Sequence, residues 1–558
     1  MNMPADFIQP AVQLGNTYRS DRVLQGWLAS ELPAPMRAAI AADLDELGAN
    51  AANAWRDARG RTPELPTLTQ WDAWGARIDR IESTTTWLKG PQLTARYGFV
   101  AAGHETTWGE HARIDQFMRV YLYHVASEFF TCPLAMSDGA ATALKASGNE
   151  DLIERALPRL LARDADQLWL SGQWMTETAG GSDVGNTGTT AVQDADGQWR
   201  LHGRKWFTSA VVGEMALTLS RPQGGAAGTQ SLALFYLETR RADGSWNGIQ
   251  VDRLKNKLGT HELPTAEIHL DGVPAQSVGE LGNGVRMIAP MLNVTRTWNA
   301  VCALASMRRC IALACDYAQH RQVFGRSLIE QPLHRATLVD MQVEFEAAFH
   351  LVFDVVRLLG RSETALSSPR ELALLRVLTP LAKLWTAKLA VSIASETCEA
   401  FGGAGYIENT GIPQLLRDAQ VYPIWEGTSN VLALDSLRAL ASIGSAVLLE
   451  SLSEMLTQAR SEASLRQRAD TIEDALQQSL HWLQQYAADR AGTEAGARGF
   501  ALSVARTFAA ATLCRHAAAN PLDARPRGAL HRFIQHGLLR LTAAASADEH
   551  DLLDDAAV

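Results

Sequence analysis

The sequence predicts an α+β protein in four parts: helices over 1–170, a compact β domain over 171–284, a helical bundle over 285–440 and further helices over 441–558. Two observations carry this prediction. Apolar residues recur at three- and four-residue spacing before Leu170 and again after Val285. Between Gln173 and Gly284 the texture changes to short alternating or apolar runs divided by turn signals. Strands and helices do not alternate, which disfavours a doubly wound nucleotide-binding fold.

From about Asp21 to Leu170 the helical period is broken at Gly and Pro, with Cys132-Pro133 and Ser137-Asp138-Gly139 as punctuation. Trp199 and Leu201 alternate with polar neighbours after the turn Asp194-Ala195-Asp196-Gly197, and Ser231 to Leu237 and Ala266 to Leu270 read as further strands. Leu338, Met341, Phe345, Phe349, Val352, Val356 and Leu359 then step by three or four along one helix face, the pattern of core packing. A second helical block runs from about Leu374 to Ala439. Gly402-Gly403-Ala404-Gly405 follows a helix and Gly279 to Gly284 closes the β domain, so both glycine clusters read as turns or close-approach loops.

The 558 residues are 47% hydrophobic and 20% charged, which is ordinary for a multidomain globular chain. No run approaches the roughly 20 uninterrupted apolar residues of a membrane span, and Met1 to Leu14 lacks a basic start followed by an apolar block. A cytoplasmic protein is expected. Cys132, Cys302, Cys310, Cys315, Cys398 and Cys514 form no CxxC pair and read as buried thiols, and the histidines show no ligand spacing, so no metal is expected. A net charge of −10 does not favour attraction to nucleic acid except through a segregated basic patch.

Five segments could carry chemistry. In Gln173 to Asp183 a strand runs into small residues, Gly180-Gly181-Ser182, which leave main-chain N–H groups open to an anionic or carbonyl-rich ligand. Lys205-Trp206-Phe207-Thr208-Ser209 places a flat ring and a hydroxyl, Trp206 and Thr208, at alternate strand positions suited to a planar cofactor. His320-Arg321-Gln322-Val323-Phe324-Gly325 and Ala400 to Tyr406 end helices, and taken singly they read as C-caps. In Ile424-Trp425-Glu426-Gly427-Thr428-Ser429-Asn430 a carboxylate stands between apolar residues and a glycine, where a solvated turn is the plain alternative.

Their order and separations resemble the acyl-CoA dehydrogenase family over about Cys132 to Leu437. The marks are Met175-Thr176-Glu177 with Gly181-Ser182-Asp183, Arg321 with Phe324-Gly325, Phe401-Gly402-Gly403 with Gly405-Tyr406, and Trp425-Glu426-Gly427-Thr428. The resemblance implies a β-barrel for the middle domain and FAD as cofactor. It places Met175, Thr176, Gly181 and Ser182 at the flavin, with Trp206 and Thr208 beside the isoalloxazine and Thr428 and Asn430 at further cofactor positions. Arg321, Phe324, Gly402 and Gly403 match positions that reach the FAD of a neighbouring subunit, which implies a homotetramer. Glu399 stands where many members have a Gln near the FAD phosphates, an unfavourable place for an anion unless it is neutralised or turned away.

Glu426 matches the family's base. Desaturating an acyl-CoA thioester removes a weakly acidic α-proton while a hydride leaves the β-carbon for the flavin. A positioned carboxylate contributes about 10² to 10⁴ in rate, and apolar neighbours such as Ile424 and Trp425 would raise its proton affinity. The enolate oxygen would be met by a ribityl hydroxyl and the N–H of the base residue, an oxyanion-hole arrangement. Arg296 matches an Arg beside the active site, where it either orders the cleft or makes a capping or inter-subunit ion pair.

Within the family the chain resembles the AidB-like branch, flavoproteins associated with the bacterial response to DNA alkylation. The N-terminal extension, the extra C-terminal helices, Glu399, Gln331-Pro332-Leu333 and the wording of His202 to Phe207 and Arg253 to Gly259 all fit. That branch implies DNA binding through the C-terminal domain. Residues 441–558 contain 11 Arg and no Lys against 14 Asp plus Glu, a balance much weaker than a dedicated nucleic-acid domain shows. Arg532, His536 and Arg540 fall at four-residue spacing with Arg525 and Arg527 upstream, a candidate face for double-stranded DNA or simply a solvated one. Two functions therefore stand side by side: a dehydrogenase, or a DNA-associated protective flavoprotein with a secondary redox site. A flavin oxidase or monooxygenase on the same scaffold is disfavoured by the carboxylate at Glu426. The substrate's chain length and the electron acceptor are not legible.

Overall fold

The computed structural model describes residues 9–58 and 63–542. The first part holds α1 (Arg22–Glu31), α2 (Ala34–Ala58), a hairpin of β1 (Thr67–Trp71) and β2 (Arg77–Glu82), then α3 (Thr85–Tyr97), α4 (Ala112–Tyr123), α5 (Thr131–Ser147) and α6 (Glu150–Leu160). The hairpin lies inside a region expected to be helical. Asp72 makes its turn by accepting from the Trp74 and Ala76 N–H groups. The hairpin then docks on the β domain, where Asp79 accepts from Val251 N and Gln70 donates to Val251 O. Alternation in Arg77-Ile78-Asp79-Arg80-Ile81-Glu82 was the available signal.

The β domain contains β3 (Ser171–Gln173), β4 (Thr190–Gln193), β5 (Trp199–Ser209), β6 (Met215–Pro222), β7 (Ala233–Glu238), β8 (Ile249–Leu254) and β9 (Thr265–Ser277). The sheet order is β3-β6-β4-β5-β9-β7, β6 also pairs with β7, and β8 pairs with β9, so the sheet closes into a barrel. Strand β6 is buried on both faces. Met215, Leu217 and Leu219 meet Ala140 and Leu144 of α5 and Leu152 of α6, while Ala216 joins the barrel interior with Phe235 and Ile268. One extra residue bulges from β5, since Lys205 pairs with Ile268 but Thr208 with Ala266.

The second helical part holds α7 (Gly284–Met287), α8 (Ala289–His320), a two-residue-strand hairpin of β10 (Gln322–Val323) and β11 (Arg326–Ser327), α9 (Pro332–Glu363), α10 (Pro369–Ala400), α11 (Ile412–Ala419) and α12 (Ser429–Ile443). All seven residues of the predicted α9 stripe are buried. Helix α10 starts on a capping box between Ser368 and Glu371 with Pro369 in its first turn. By length and composition α10 could cross a membrane, but most of it is buried in the protein, as in a core helix.

The last part is α13 (Ala446–Ser461), α14 (Arg466–Gln485), α15 (Arg490–Ala519) and α16 (Ala524–Gln535). It meets α9 through an ionic seam: Glu344 accepts from Arg506 at 2.7 Å, Asp354 from Arg515 at 2.8 Å and Glu346 from Arg525 at 3.3 Å, and Asp340 takes Arg532. His536 lies between Glu344 and Asp340, 2.8 Å from each. The expected basic face is therefore not a free one. Arg525 and Arg532 serve the seam, Arg527 pairs with Glu462 at 2.7 Å, and Arg540 donates to the carbonyls of His536, Gly537 and Leu539. Arg540 is also not on the helix, because α16 stops at Gln535 and Gly537 takes a left-handed φ of 80°.

Candidate active site

Glu426 sits on a turn leading into α12. Its φ is 56° and that of Gly427 is 101°, and a left-handed non-glycine costs about 1 kcal/mol or more. The surroundings fix this strained pair. Thr295 of α8 donates its hydroxyl to Glu426 Oε2 at 2.6 Å, Arg296 Nε donates to Glu426 O at 3.3 Å, and Lys383 Nζ of α10 donates to Gly427 O at 2.7 Å. Arg296 also pairs with Asp435 at 2.8 Å, and Asp435 takes Arg376 at 2.7 Å. Arg296 thus orders the turn and makes an ion pair at once, both within one chain. Among the described residues the Glu426 N–H donates to no acceptor.

The expectation of apolar neighbours needs correction. Ile424 is 62% exposed, and Trp425 packs edge-on against Phe129 with ring centroids 6.1 Å apart. The carboxylate instead faces a hydroxyl, with two cations beneath its turn. Lys383 is fully buried; burial pulls its ammonium down to about 7, against the nearby charge of Glu426 and with the help of Arg296. Cys132 at the start of α5 is close enough to feel Lys257 and Glu426, and burial pushes its thiol up to about 12. Lys257, between β8 and β9, is close enough to Cys132 to act on it, donates to Leu263 O at 2.6 Å and is drawn by burial down to about 8. Next to it Gly259 packs on Arg417, and Thr260 N donates to Asp418 at 2.6 Å, so barrel and bundle are joined beside the site.

The other expected residues fall into two groups. In the first, Thr176 O accepts from Trp206 N at 2.9 Å, and a Cβ on Gly181 would lie 2.5 Å from Thr176 Oγ1. Met175 is buried and Ser182 exposed. The loop is tethered by Glu177, which accepts from Lys205 Nζ at 2.8 Å, Thr189 Oγ1 at 2.5 Å and Gly188 N at 2.7 Å. Trp206 is half-buried, and Lys255 Nζ stands 3.3 Å from its ring centroid, covering one ring face. Thr208 departs from expectation: the β5 bulge turns it inward, it is fully buried, and its hydroxyl donates to Ala266 O at 2.6 Å. Thr428 N-caps α12 without using its side chain, and both Thr428 and Asn430 are exposed.

The second group gathers where α8 and α10 end together, Tyr317 and Phe401 stacking with centroids 4.4 Å apart. Arg321 is exposed at the end of α8. Phe324 is 98% exposed on the β10–β11 turn, with φ of 49° followed by 79° at Gly325. Gly402 and Gly403 are exposed, and a Cβ on either would meet nothing within 4 Å. Glu399 is likewise exposed, turned to the surface of α10.

These residues suit FAD. Exposed backbone at Gly402 and Gly403, free polar side chains at Ser182, Thr428 and Asn430, and the uncapped start of α12 supply donors for a pyrophosphate-bearing ligand. Gln173 Oε1, buried two residues before Met175, has no partner among the described residues. The sequence reading missed Thr295 as a partner of Glu426, and it missed Lys383, Asp435, Cys132 and Lys257 as its surroundings. One signal was available, Arg376 and Lys383 two helical turns apart as the charged residues of the apolar stretch from Leu372 to Ala387 in α10.

Comparison with known proteins agrees along the whole chain. Residues 172–273 match the acyl-CoA dehydrogenase middle domain and 282–441 its C-terminal domain. Residues 8–167 match the adaptive response protein AidB N-terminal domain, and 445–558 the acyl-CoA dehydrogenase 11 C-terminal domain-like family. Acyl-CoA dehydrogenase family member 11 of Caenorhabditis elegans is 42% identical over 530 residues, 92% of this chain and 86% of that protein. AidB of Escherichia coli is 33% identical over 389 residues, 67% of this chain and 69% of that protein. The crystal structure of C. elegans ACDH-11 in complex with C11-CoA superposes with a TM-score of 0.95 at 38% identity, covering 100% of this chain and 98% of that one. The chain belongs to the acyl-CoA dehydrogenase family, AidB-like in its N-terminal domain, whose members are FAD-dependent flavoproteins.

Proposed function

We propose that this protein desaturates an acyl-CoA between its α and β carbons, with Glu426 as the base. One observation carries the reading: Glu426 offers a carboxylate aimed by Thr295 and, from the same residue, an N–H with no acceptor among the described residues. The carboxylate removes the α-proton. The free N–H is available to the thioester oxygen as charge develops on it, a contribution of about 10² to 10³ for one such donor. FAD, when bound, supplies the acceptor for the hydride that leaves the β-carbon. The double bond forms as the α-proton passes to Glu426, and Trp425, packed edge-on against Phe129, flanks the base in the chain.

The likeness to ACDH-11 solved with C11-CoA supports acyl chains near that length as the first to test. Phe324 at 98%, Tyr406 at 90% and Ile407 at 52% exposure support a homotetramer in which neighbouring subunits cover them. DNA binding through the C-terminal domain is the weaker reading, since the arginines offered for it are engaged within the chain. Anaerobic titration with acyl-CoAs of graded length tests the proposal. Bleaching of the flavin is expected, and Glu426→Gln should stay yellow while losing about 10² to 10⁴ in reduction rate. Retained desaturation in that variant refutes the assignment. A DNA mobility shift that weakens steeply between about 50 and 200 mM salt would favour the second reading.

A further inference from the structure

We propose that Lys383 is a positioning residue for the base: from the buried middle of α10 it holds the Gly427 carbonyl, and with Arg296 it fixes the Glu426 turn. The inference rests on Glu426 being the base.

Two successive left-handed residues, one of them not glycine, persist only where their surroundings hold them. Here both carbonyls of the turn are taken by cations from different helices, Glu426 O by Arg296 at 3.3 Å and Gly427 O by Lys383 at 2.7 Å. The two cations are not equivalent. Arg296 of α8 is paired with Asp435 of α12, which Arg376 of α10 shares, so that cluster carries its own counter-charge. Lys383 makes no ion pair among the described residues, and the anion that acts on it is Glu426. A fully buried lysine whose one hydrogen bond goes to a carbonyl is a costly way to fill space that a methionine would fill better. The arrangement makes sense where the ammonium serves the carboxylate. Burial draws Lys383 down to about 7, and the nearby charge of Glu426 opposes that fall.

The test uses the full-length FAD-loaded protein, undecanoyl-CoA and anaerobic stopped-flow bleaching over a range of pH, with Lys383→Met, Lys383→Gln and Glu426→Gln. Lys383→Met is expected to keep FAD and an unchanged Kd for undecanoyl-CoA. It should bleach about 10- to 100-fold more slowly at every pH tested, a loss in rate and not in binding. Lys383→Gln keeps a donor to Gly427 O without the charge and should recover most of the rate. A wild-type rate in Lys383→Met, or a loss in Lys383→Gln as large as in Lys383→Met, overturns the proposal. Loss of FAD or of the fold in both overturns it too, by making Lys383 a scaffold residue. If Glu426→Gln is inactive while Lys383→Met keeps the wild-type profile, the inference fails and the base assignment stands; if Glu426→Gln still bleaches, the base assignment itself is wrong.

Discussion

Thr295 donates its hydroxyl hydrogen to Glu426 Oε2 at 2.6 Å, and a methyl in its place would leave that oxygen free to rotate away from the α-carbon. A hydrogen bond to a charged group is worth about 1.5–3 kcal/mol, so Thr295→Val should slow flavin reduction about 10- to 100-fold with little change in FAD content. Stopped-flow bleaching decides, and a wild-type rate would show that the carboxylate is aimed by other contacts. The segment that holds Glu426 was legible as a family mark because it can be recognised in order with four others. Thr295 and Lys383 were not, because a threonine or lysine on a long helix carries no local sign of which partner folding will bring to it. Thr208 shows the opposite failure. Period-two alternation placed it beside Trp206, and the one-residue bulge in β5 reversed its face.

At the level of elements, the seam between α9 and the last helices carries a definite pH signature. The hydrogen bond to Glu344, and that to Asp340, raise His536 above its ordinary 6.5 in spite of partial burial. Its stabilising contribution is therefore full below about 6.5 and is lost as pH rises through the raised value. Burial opposes ionisation of Glu344 and Asp340, but hydrogen bonds from His536, Arg506 and Arg532 hold both below their ordinary 4.5 and 3.8, so their contributions are lost only as acid passes those lowered values. The seam is strongest between about 4.5 and 6.5. Melting temperature is expected to fall from pH 6 to pH 8 and His536→Gln to flatten that slope, which differential scanning calorimetry can read. Glu344→Ala leaves Arg506 buried without its partner and should cost about 3 kcal/mol. The arginines of the seam were visible in the sequence as spacing; the carboxylates opposite them, nearly two hundred residues earlier, were not connected to them by any local pattern.

For the molecule as a whole, the order helices, barrel, helices, extra helices was readable from the change of period alone, and the long stripe of α9 lies in the core as expected. The β1–β2 hairpin was not readable, because its strands gain stability only by docking on β8, a contact across more than 170 residues. The exposed rings of Phe324 and Tyr406 belong to this scale. On the proposed homotetramer, Phe324→Asp is expected to shift sedimentation to smaller species at micromolar concentration and to lower FAD content with it. A variant that sediments as wild type would remove those rings from the proposed interface.

The carboxylate of Glu177, planted in the barrel by Lys205, Thr189 and Gly188, tethers the root of its loop. Any rearrangement at Gly180 and Gly181 is thereby limited to the few residues beyond that anchor.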